Sequence, residues 1–326
     1  MNRFVTILSH GLFALIVLAA TAWAATALWL HLSGALRLGA EAALAFGALC
    51  ALAARFAHNR RSGWAVLVIG ALVVGAWYQT ITPRDDRSWA LDVSRGVKAQ
   101  VAGDIVTLRD LRDFDWSSAT QATPRWITGR YDLRRIETVD MFTSVWDNPD
   151  IAHLLVSFGF ADGEHVVFSV EIRREAGEEF NEIGGFFRQF ELVLIGATEG
   201  DIVKLRSNYR KEEVRMFPIL LTPEQRRAMF LSYVALAQKL EARPAFYNTL
   251  TANCTTVVYQ LATVLKPDLP LDWRLVLSGY LPDYLAGLGV LGGNGPLQNR
   301  KAAAEITARA LRADPAIPFS RAIRQP

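Results

Sequence analysis

Three long apolar runs open the chain, and a mixed polar and apolar pattern follows them. The runs span Val5 to Leu32, Ala35 to Phe56 and Trp64 to Ile81. Each is within the range of about 17–25 residues that a helix needs to cross the hydrocarbon core of a bilayer. The pattern therefore predicts three transmembrane helices in residues 1–82 and a separate domain in residues 83–326.

The basic residues in the short loops predict the orientation of these helices. Arg60 and Arg61 lie between the second and third runs, whereas the first link offers only His31 and Arg37. Loops rich in arginine stay in the cytoplasm, so everything after about Pro83 lies outside. In a bacterial cell this means an inner-membrane protein with a periplasmic domain. A cleaved signal peptide is the alternative for the first run, but its weak basic start and the two further runs favour an uncleaved helix.

The second domain has a β-rich centre. Ala152 to Phe160 and His165 to Arg173 are rich in β-forming residues and are joined by a turn containing Asp162-Gly163, which predicts a hairpin. Three more strands are predicted over Phe190–Ile195, Asp201–Asn208 and Val214–Ile219.

Helical patterns follow the predicted strands. Thr222 before Pro223 is a capping residue followed by proline at the first helical position, which predicts a helix over Pro223 to Leu240. The apolar stretch after Cys254 fits a buried helix or a strand, and Asn253 as a cap favours a helix that starts at Cys254. A short helix near Pro282 and a surface helix over 301–312 complete an α+β fold, with an antiparallel sheet followed by helices.

Composition and motifs exclude several classes of function. The net charge is +3 and no basic stripe alternates with aromatic residues, so nucleic acid is not a predicted partner. The sequence has no paired histidine or Cys-x-x-Cys metal motif, no Gly-x-Ser-x-Gly turn and no glycine-rich phosphate loop. We therefore predict no metal and no cofactor.

Cys254 is the cysteine outside the apolar runs, because Cys50 lies in the second run. It is either a packing residue or a nucleophile. A helix N-terminus lowers the pKa of a thiol, and the backbone N–H groups there, with the amide of Asn253, can form an oxyanion hole. The base for such a thiol is usually histidine. Three of the five histidines belong to the membrane segments and His165 lies at the hairpin turn, so we predict that His153 is the base.

Two residues of the second hairpin strand are candidates to orient His153. Ser169 and Glu171 are two positions apart and therefore share a face of the strand. Glu171 lies among apolar residues, so a buried charge there needs a partner. The alternative to an orienting role is a salt bridge from Glu171 to Arg173, Arg188 or Arg206.

These residues also carry a resemblance to a known family. Trp146-Asp147-Asn148-Pro149 before His153, the segment Ser169-Val170-Glu171, and Asn253-Cys254-Thr255-Thr256 after Tyr247-Asn248-Thr249 resemble the periplasmic domain of the Lnb-type lipoprotein N-acyltransferase family. The resemblance covers about Asp140 to Tyr284. That family is similar to circularly permuted papain-like (NlpC-type) thiol enzymes, in which the histidine strand precedes the cysteine helix, as His153 precedes Cys254.

The resemblance implies a membrane-anchored periplasmic cysteine acyltransferase. Cys254 would form a thioester with an acyl chain of a membrane phospholipid, and an amine such as the N-terminus of a lipoprotein would accept that chain. Two alternatives stay open. One is a cell-wall peptidase or amidase of NlpC type that uses the same Cys254 and His153, and the other is a non-catalytic, membrane-anchored binding protein.

Overall fold

The computed structural model describes residues 3–325, which divide into two compact units. The first unit contains the residues up to Arg84 together with Asn181–Gln189. The second contains Asp85–Phe180 and the residues from Phe190 onward. The segment Asn181–Gln189, which the sequence pattern assigns to the second domain, therefore groups with the apolar helices.

The first unit is built from three long helices, as predicted. They are α1 (Arg3–His31), α2 (Gly34–Ala53) and α3 (Arg60–Gln79), and a π-helical turn (Ala54–His58) extends α2. Together with that turn, all three are long and apolar enough to cross a membrane. Asn59 separates α2 from α3 because its side chain accepts a hydrogen bond from the Ser62 N–H and caps α3.

The segment Asn181–Gln189 contains the short helix α4 (Glu182–Phe186) and contacts the ends of α1 and α3. The carbonyl of Phe187 is 2.6 Å from His31 Nε2. The Arg188 guanidinium donates to the Tyr78 carbonyl at 3.0 Å and lies 4.5 Å from the centre of the Tyr78 ring. These contacts explain why the segment groups with the apolar helices.

The second unit is organised around one eight-stranded mixed sheet. Its strand order is β1-β2-β9-β8-β7-β6-β10, with β5 also pairing with β2. Neighbouring strands are antiparallel except β2 and β9, which meet in parallel at Arg112 and Ala197. The strands are β1 (Lys98–Ala102), β2 (Ile105–Arg112), β5 (Trp126–Asp132), β6 (Ile136–Val145), β7 (His153–Phe160), β8 (His165–Arg173), β9 (Glu191–Ala197) and β10 (Glu213–Pro218), and a separate pair is formed by β3 (Asp115–Trp116) and β4 (Ala122–Thr123).

The predicted strand over Asp201–Asn208 is wrong. This stretch forms helix α5 (Glu199–Lys204) followed by a π-helical turn (Leu205–Tyr209). The Thr198 side chain accepts a hydrogen bond from the Asp201 N–H and caps the helix, and acidic residues in the first turn favour it further. Local capping therefore overrides the β-forming composition of the stretch.

The remaining helices agree with the prediction except at the C-terminal end. The predicted surface helix over 301–312 is in fact two short helices, and Ile306 is fully buried between them. The helix breaks because the backbone here pairs with β10: the Ile306 N–H donates to the Val214 carbonyl, and the Met216 N–H donates to the Ala304 carbonyl. After α5, the helices of this unit are α6 (Pro223–Ala242), α7 (Cys254–Ala262), α8 (Leu281–Gly287), α9 (Leu297–Ala303), α10 (Thr307–Leu311) and α11 (Phe319–Ala322).

Helices cover both faces of the sheet. Consecutive strand residues point to opposite faces, and Leu155 and Val156 belong to different core clusters. The Val156 side of the sheet packs against α6 through Phe230 and Tyr233. The Leu155 side packs against α5, α10 and α11. The α+β architecture is therefore confirmed, with a mixed sheet in place of the predicted antiparallel one.

Candidate active site

Strands β6, β7 and β8 place four polar side chains on one face of the sheet. His153 opens β7 and pairs in register with Ser144 of β6, and Leu155 pairs with Ser169 of β8. Residues that pair directly across two strands share a face, and so do residues two apart on one strand. Ser144, His153, Ser169 and Glu171 therefore lie on the same face.

Helix α7 places the thiol at its N-terminus. Cys254 is the first residue of the helix, as predicted, and Asn253 is its cap. The Asn253 side-chain oxygen accepts hydrogen bonds from the N–H groups of Thr255 at 2.9 Å and Thr256 at 2.8 Å. The Thr256 hydroxyl in turn accepts from the Asn253 N–H at 3.0 Å and completes a capping box. This local pattern fixes where the helix starts and hence where the sulfur lies.

Asn253 is thus occupied by the backbone of its own turn. Besides the two contacts of its oxygen, its amide nitrogen donates to the Thr249 carbonyl at 2.6 Å. The predicted capping role of Asn253 is confirmed, and its predicted share in an oxyanion hole stays a prediction.

The structure brings Cys254 and His153 together. The His153 imidazole and the Leu154 N–H both lie beside the sulfur of Cys254. His153 Nε2 lies 2.8 Å from the Ser169 hydroxyl and 3.0 Å from Glu171 Oε1. Since Nε2 is engaged on that side, Nδ1 is the ring nitrogen left for the thiol. His153 is buried and Cys254 is partly buried.

A network of charged groups holds Glu171 in place. The Ser169 hydroxyl donates to Glu171 Oε1 at 2.7 Å, and Arg206 donates to the same oxygen at 3.0 Å. Arg206 also donates to Glu212 at 3.2 Å, and Glu212 accepts a hydrogen bond from Ser144. The two alternatives for Glu171, orienting a histidine and forming a salt bridge, are therefore both realised by one carboxylate.

The electrostatics of the site favour a charged pair. Burial and the positive charge of Arg206 both lower the pKa of His153, but the Glu171 carboxylate and the hydrogen bonds to Cys254 and Glu171 outweigh them and raise it to about 9. Burial raises the pKa of Cys254, but the hydrogen bond and charge of His153 and the Leu154 N–H hold it below its ordinary value. Both shifts favour a thiolate beside an imidazolium, the reactive form of a cysteine nucleophile.

Glu171 remains ionised in this network. Burial alone would raise its pKa, but the charge and hydrogen bond of His153, together with Arg206 and Ser169, hold it well below its usual range. A permanent negative charge at Nε2 fixes the tautomer and orientation of the imidazole ring. Among residues 3–325, no three histidine, cysteine or acidic side chains are grouped so that they could hold a metal ion.

Sequence reasoning missed two members of this network and left a third among alternatives. Nothing in the sequence around Ser144 or Glu212 indicates a place in the site, since neither lies in a motif. Arg206 is one of the three arginines that the sequence offers as a salt-bridge partner of Glu171. Arg206 comes from the π-helical turn after α5, where the sequence pattern predicted a strand. The alternating strand pattern of β6 could have placed Ser144 opposite His153 once the pairing of the two strands was known.

Comparison with known proteins identifies the segment that carries this site. Residues 122–279 match the family model described as the Lnb N-terminal periplasmic domain. No curated protein and no solved structure matches the chain. His153, Ser169, Glu171 and Cys254 all lie in the matched range. Three helices that are apolar and long enough to cross a membrane precede it, which fits an inner-membrane protein with a periplasmic domain. Residues 122–279 therefore support the predicted resemblance to the Lnb family.

Proposed function

We propose that the protein is a membrane-anchored periplasmic cysteine acyltransferase. Cys254 takes an acyl chain from a phospholipid as a thioester and passes it to an amine, such as the N-terminus of a lipoprotein. The observation that carries the proposal is the thiol at the start of α7, which lies beside a buried histidine whose Nε2 contacts Glu171. Nucleophile, base and orienting group in this order are the arrangement that activates a thiol.

In the first half-reaction the thiolate of Cys254 attacks the carbonyl carbon of the donor ester. The carbonyl oxygen becomes an oxyanion, which the Cys254 N–H and the dipole at the N-terminus of α7 stabilise. The tetrahedral intermediate then collapses, the carbon–oxygen bond of the ester breaks, and the lysophospholipid alkoxide leaves with the proton of His153. The products are a thioester on Cys254 and a neutral His153.

In the second half-reaction the amine of the acceptor attacks the thioester. Neutral His153 takes the proton that the amine loses, the carbon–sulfur bond breaks, and the thiolate is restored beside an imidazolium. Glu171 stays ionised throughout and stabilises the positive ring, in the manner of the third member of a catalytic triad. The reaction replaces an ester by a more stable amide, so the transfer needs no further source of energy.

The apolar helices support a lipid donor. Three helices of sufficient length and hydropathy to span a bilayer precede the domain, and a protein anchored in this way meets phospholipids and lipoproteins at one surface. Tethering also converts an encounter in solution into one at high effective concentration.

Labelling with a tagged phospholipid tests the proposal. The detergent-solubilised protein is incubated with a phospholipid that carries an alkyne-tagged acyl chain. We expect a hydroxylamine-sensitive label on Cys254 that is absent in Cys254→Ala and retained in the matched control Cys50→Ala. His153→Ala should slow its formation by about 10⁴-fold or more, as loss of the base does in comparable enzymes. Adding a peptide with a lipidated N-terminal cysteine should transfer the label to its amine.

Two results would contradict the proposal. Cleavage of peptidoglycan fragments without any adduct from the phospholipid would make the protein a cell-wall peptidase or amidase. A Cys254 that fails to react selectively with a thiol probe at neutral pH would remove both enzyme functions and leave a membrane-anchored binding protein.

A further inference from the structure

An apolar cavity lies close to the thiol. Its volume is about 200 Å³, and its lining includes Leu154 and Thr255. The N–H of Leu154 lies beside the Cys254 sulfur, and Thr255 is the next residue of the helix, so one end of the cavity lies near the thiol. Cys254 itself packs against two core clusters, one around Phe230 and one around Tyr284. The cavity is lined by members of both clusters and lies between them.

One face of α7 forms a wall of the cavity. Thr255, Val258, Tyr259 and Ala262 line it, and their spacing of three, four and seven residues puts them on a single helical stripe. From Thr255 to Ala262 the helix rises about 10 Å. The cavity therefore runs along α7 away from the thiol, with Val258 about one turn from it and Ala262 near its far end.

The lining is mostly apolar, with Gln225 and Lys266 among its polar members. Tyr259 and Tyr284 also line the cavity. The Tyr259 hydroxyl donates to the Leu269 carbonyl at 2.7 Å, and the Tyr284 hydroxyl donates to the Pro270 carbonyl at 2.9 Å. Both hydroxyls thus donate to backbone carbonyls of the loop between α7 and α8. The aromatic rings of the two tyrosines therefore form the cavity wall. A cavity of this kind favours an apolar ligand over water or a peptide.

The loop that closes the cavity is also apolar on its outer side. Leu269 and Leu275 line the cavity from this loop. Leu271, Trp273 and Val276 of the same loop are exposed, Leu271 by 83%. An exposed apolar cluster of this kind marks a surface that meets a lipid or a protein, and here it adjoins an apolar interior. The outer side of this loop and the cavity behind it therefore both suit a hydrocarbon chain.

We propose that this cavity holds the acyl chain of the thioester on Cys254, an inference that rests on the function proposed above. The carbonyl group lies between Cys254 and His153, and the chain runs along α7 past Val258 towards Ala262. The volume is below the roughly 300–1,000 Å³ of sites for whole small molecules. A cavity of this volume and of about 10 Å in length holds the part of a single chain nearest the carbonyl, so the lysophospholipid part of the donor stays outside, free to leave after the first step.

A substitution at the far end of the cavity tests this placement. Ala262→Phe shortens the cavity without touching the thiol or the histidine, and Ala235→Phe makes the same change at an exposed position of α6. Both proteins are incubated with aryl esters from acetyl to palmitoyl, and the rate of adduct formation on Cys254 is measured. We expect Ala262→Phe to slow palmitoylation by about tenfold or more while acetylation keeps its rate, since a methylene group without room costs about that factor. Ala235→Phe should match the wild type for all chain lengths.

A smaller substitution at the same position provides a second variant in case Ala262→Phe does not fold. Ala262→Leu should slow palmitoylation in the same direction but less, and thermal melting shows whether each variant is folded. If both Ala262 variants are folded and acylate with an unchanged chain-length profile, the chain does not lie in this cavity, although the thioester mechanism survives.

A binding measurement separates the two proposals. A fluorescent fatty acid is titrated into full-length Cys254→Ala protein in detergent, with and without Ala262→Phe. Weaker binding in the double variant supports the cavity even if no thioester ever forms, in which case only the proposed function fails. Equal binding in both proteins, or none in either, removes the cavity as the site of the chain.

Discussion

Two buried glutamates in the second unit are held by the same kinds of groups, but only one of them contacts a histidine that lies beside a thiol. Glu171 accepts from the strand hydroxyl of Ser169 at 2.7 Å and from Arg206 at 3.0 Å. Glu199 accepts from the strand hydroxyl of Ser157 at 2.6 Å and from Arg324 at 2.7 and 2.8 Å. Each is thus a buried carboxylate with one serine and one arginine.

The difference lies in how the oxygens are shared. Arg324 contacts both oxygens of Glu199 and also pairs with Asp140, a two-pronged geometry that fixes the chain end against α5. In Glu171 one oxygen receives Ser169, Arg206 and the imidazole of His153 together. The cluster around Glu199 joins Ser157, Arg324 and Asp140. The cluster around Glu171 also includes His153, which lies beside the thiol of Cys254.

The pKa values alone do not distinguish the two glutamates. Burial raises the pKa of each, and their partners outweigh it, so both lie below the ordinary value. Structural ion pairs perturb a carboxylate as much as functional ones do. The presence of His153 between Glu171 and Cys254 is what marks one cluster as a candidate for chemistry.

Replacing each glutamate by glutamine should give the largest contrast. Glu171→Gln leaves a neutral group at Nε2, so the imidazolium loses its counter-charge, and we expect thioester formation to slow by about 10²–10⁴-fold. Glu199→Gln weakens a buried ion pair far from the thiol and should cost stability, up to about 3–5 kcal/mol, while the rate per folded molecule stays unchanged. Adduct formation and chemical unfolding measure the two effects.

One outcome would contradict this expected contrast between the two variants. If Glu199→Gln slows thioester formation per folded molecule as much as Glu171→Gln does, the network around Glu171 has no special part in the reaction. Arg324→Ala is the matched control, because it breaks the Glu199 cluster from the other partner. It should reproduce the loss of stability and again leave the rate of folded protein unchanged.

The sequence was enough to predict the parts of the site that depend on local pattern. The hairpin of β7 and β8 follows from two β-forming runs and a turn, and it carries His153, Ser169 and Glu171. The start of α7 follows from the capping ability of Asn253, and it places Cys254. Each of these signals lies within a few residues of the group that it positions.

The remaining parts depend on contacts between distant segments and could not be predicted in the same way. The stretch 201–208 has the composition of a strand, and only its cap at Thr198 and its packing against the sheet make it helical. Arg206 reaches Glu171 across 35 positions of the chain because a π-helical turn follows that helix. The cavity beside the thiol likewise forms from β6, β7, α6, α7 and α8 together.

The pH dependence of acylation provides a second test of the difference between Glu171 and Glu199. The pKa of Cys254 lies below that of an ordinary thiol, so the rising limb of the profile should lie at lower pH than for a free cysteine. The pKa of His153 is about 9, so the rate should fall above that pH as the ring loses the proton that the leaving alcohol needs. Because the two groups titrate as a coupled pair, the two limbs of the profile belong to the pair.

Glu171→Gln removes the charge that raises the pKa of His153, so the falling limb should move to lower pH. A shift of about one unit would change the rate near the limb by about tenfold. Glu199→Gln should leave both limbs in place. Rates of adduct formation between pH 5 and 10 provide the test, and a falling limb that does not move in Glu171→Gln would mean that Glu171 does not set the protonation of His153.

The smallest expected effect concerns the two serines. Ser169→Ala removes a hydrogen bond to His153 Nε2 at 2.8 Å, but Glu171 Oε1 remains 3.0 Å from the same nitrogen. We therefore expect the rate of adduct formation to fall only about 2–10-fold, the value of one hydrogen bond of about 0.5–1.5 kcal/mol. Ser157→Ala makes the matching change beside Glu199 and should lower stability by a similar free energy without changing the rate. A loss in Ser169→Ala as large as in Glu171→Gln would instead make the hydroxyl the group that orients His153, with Glu171 acting through it.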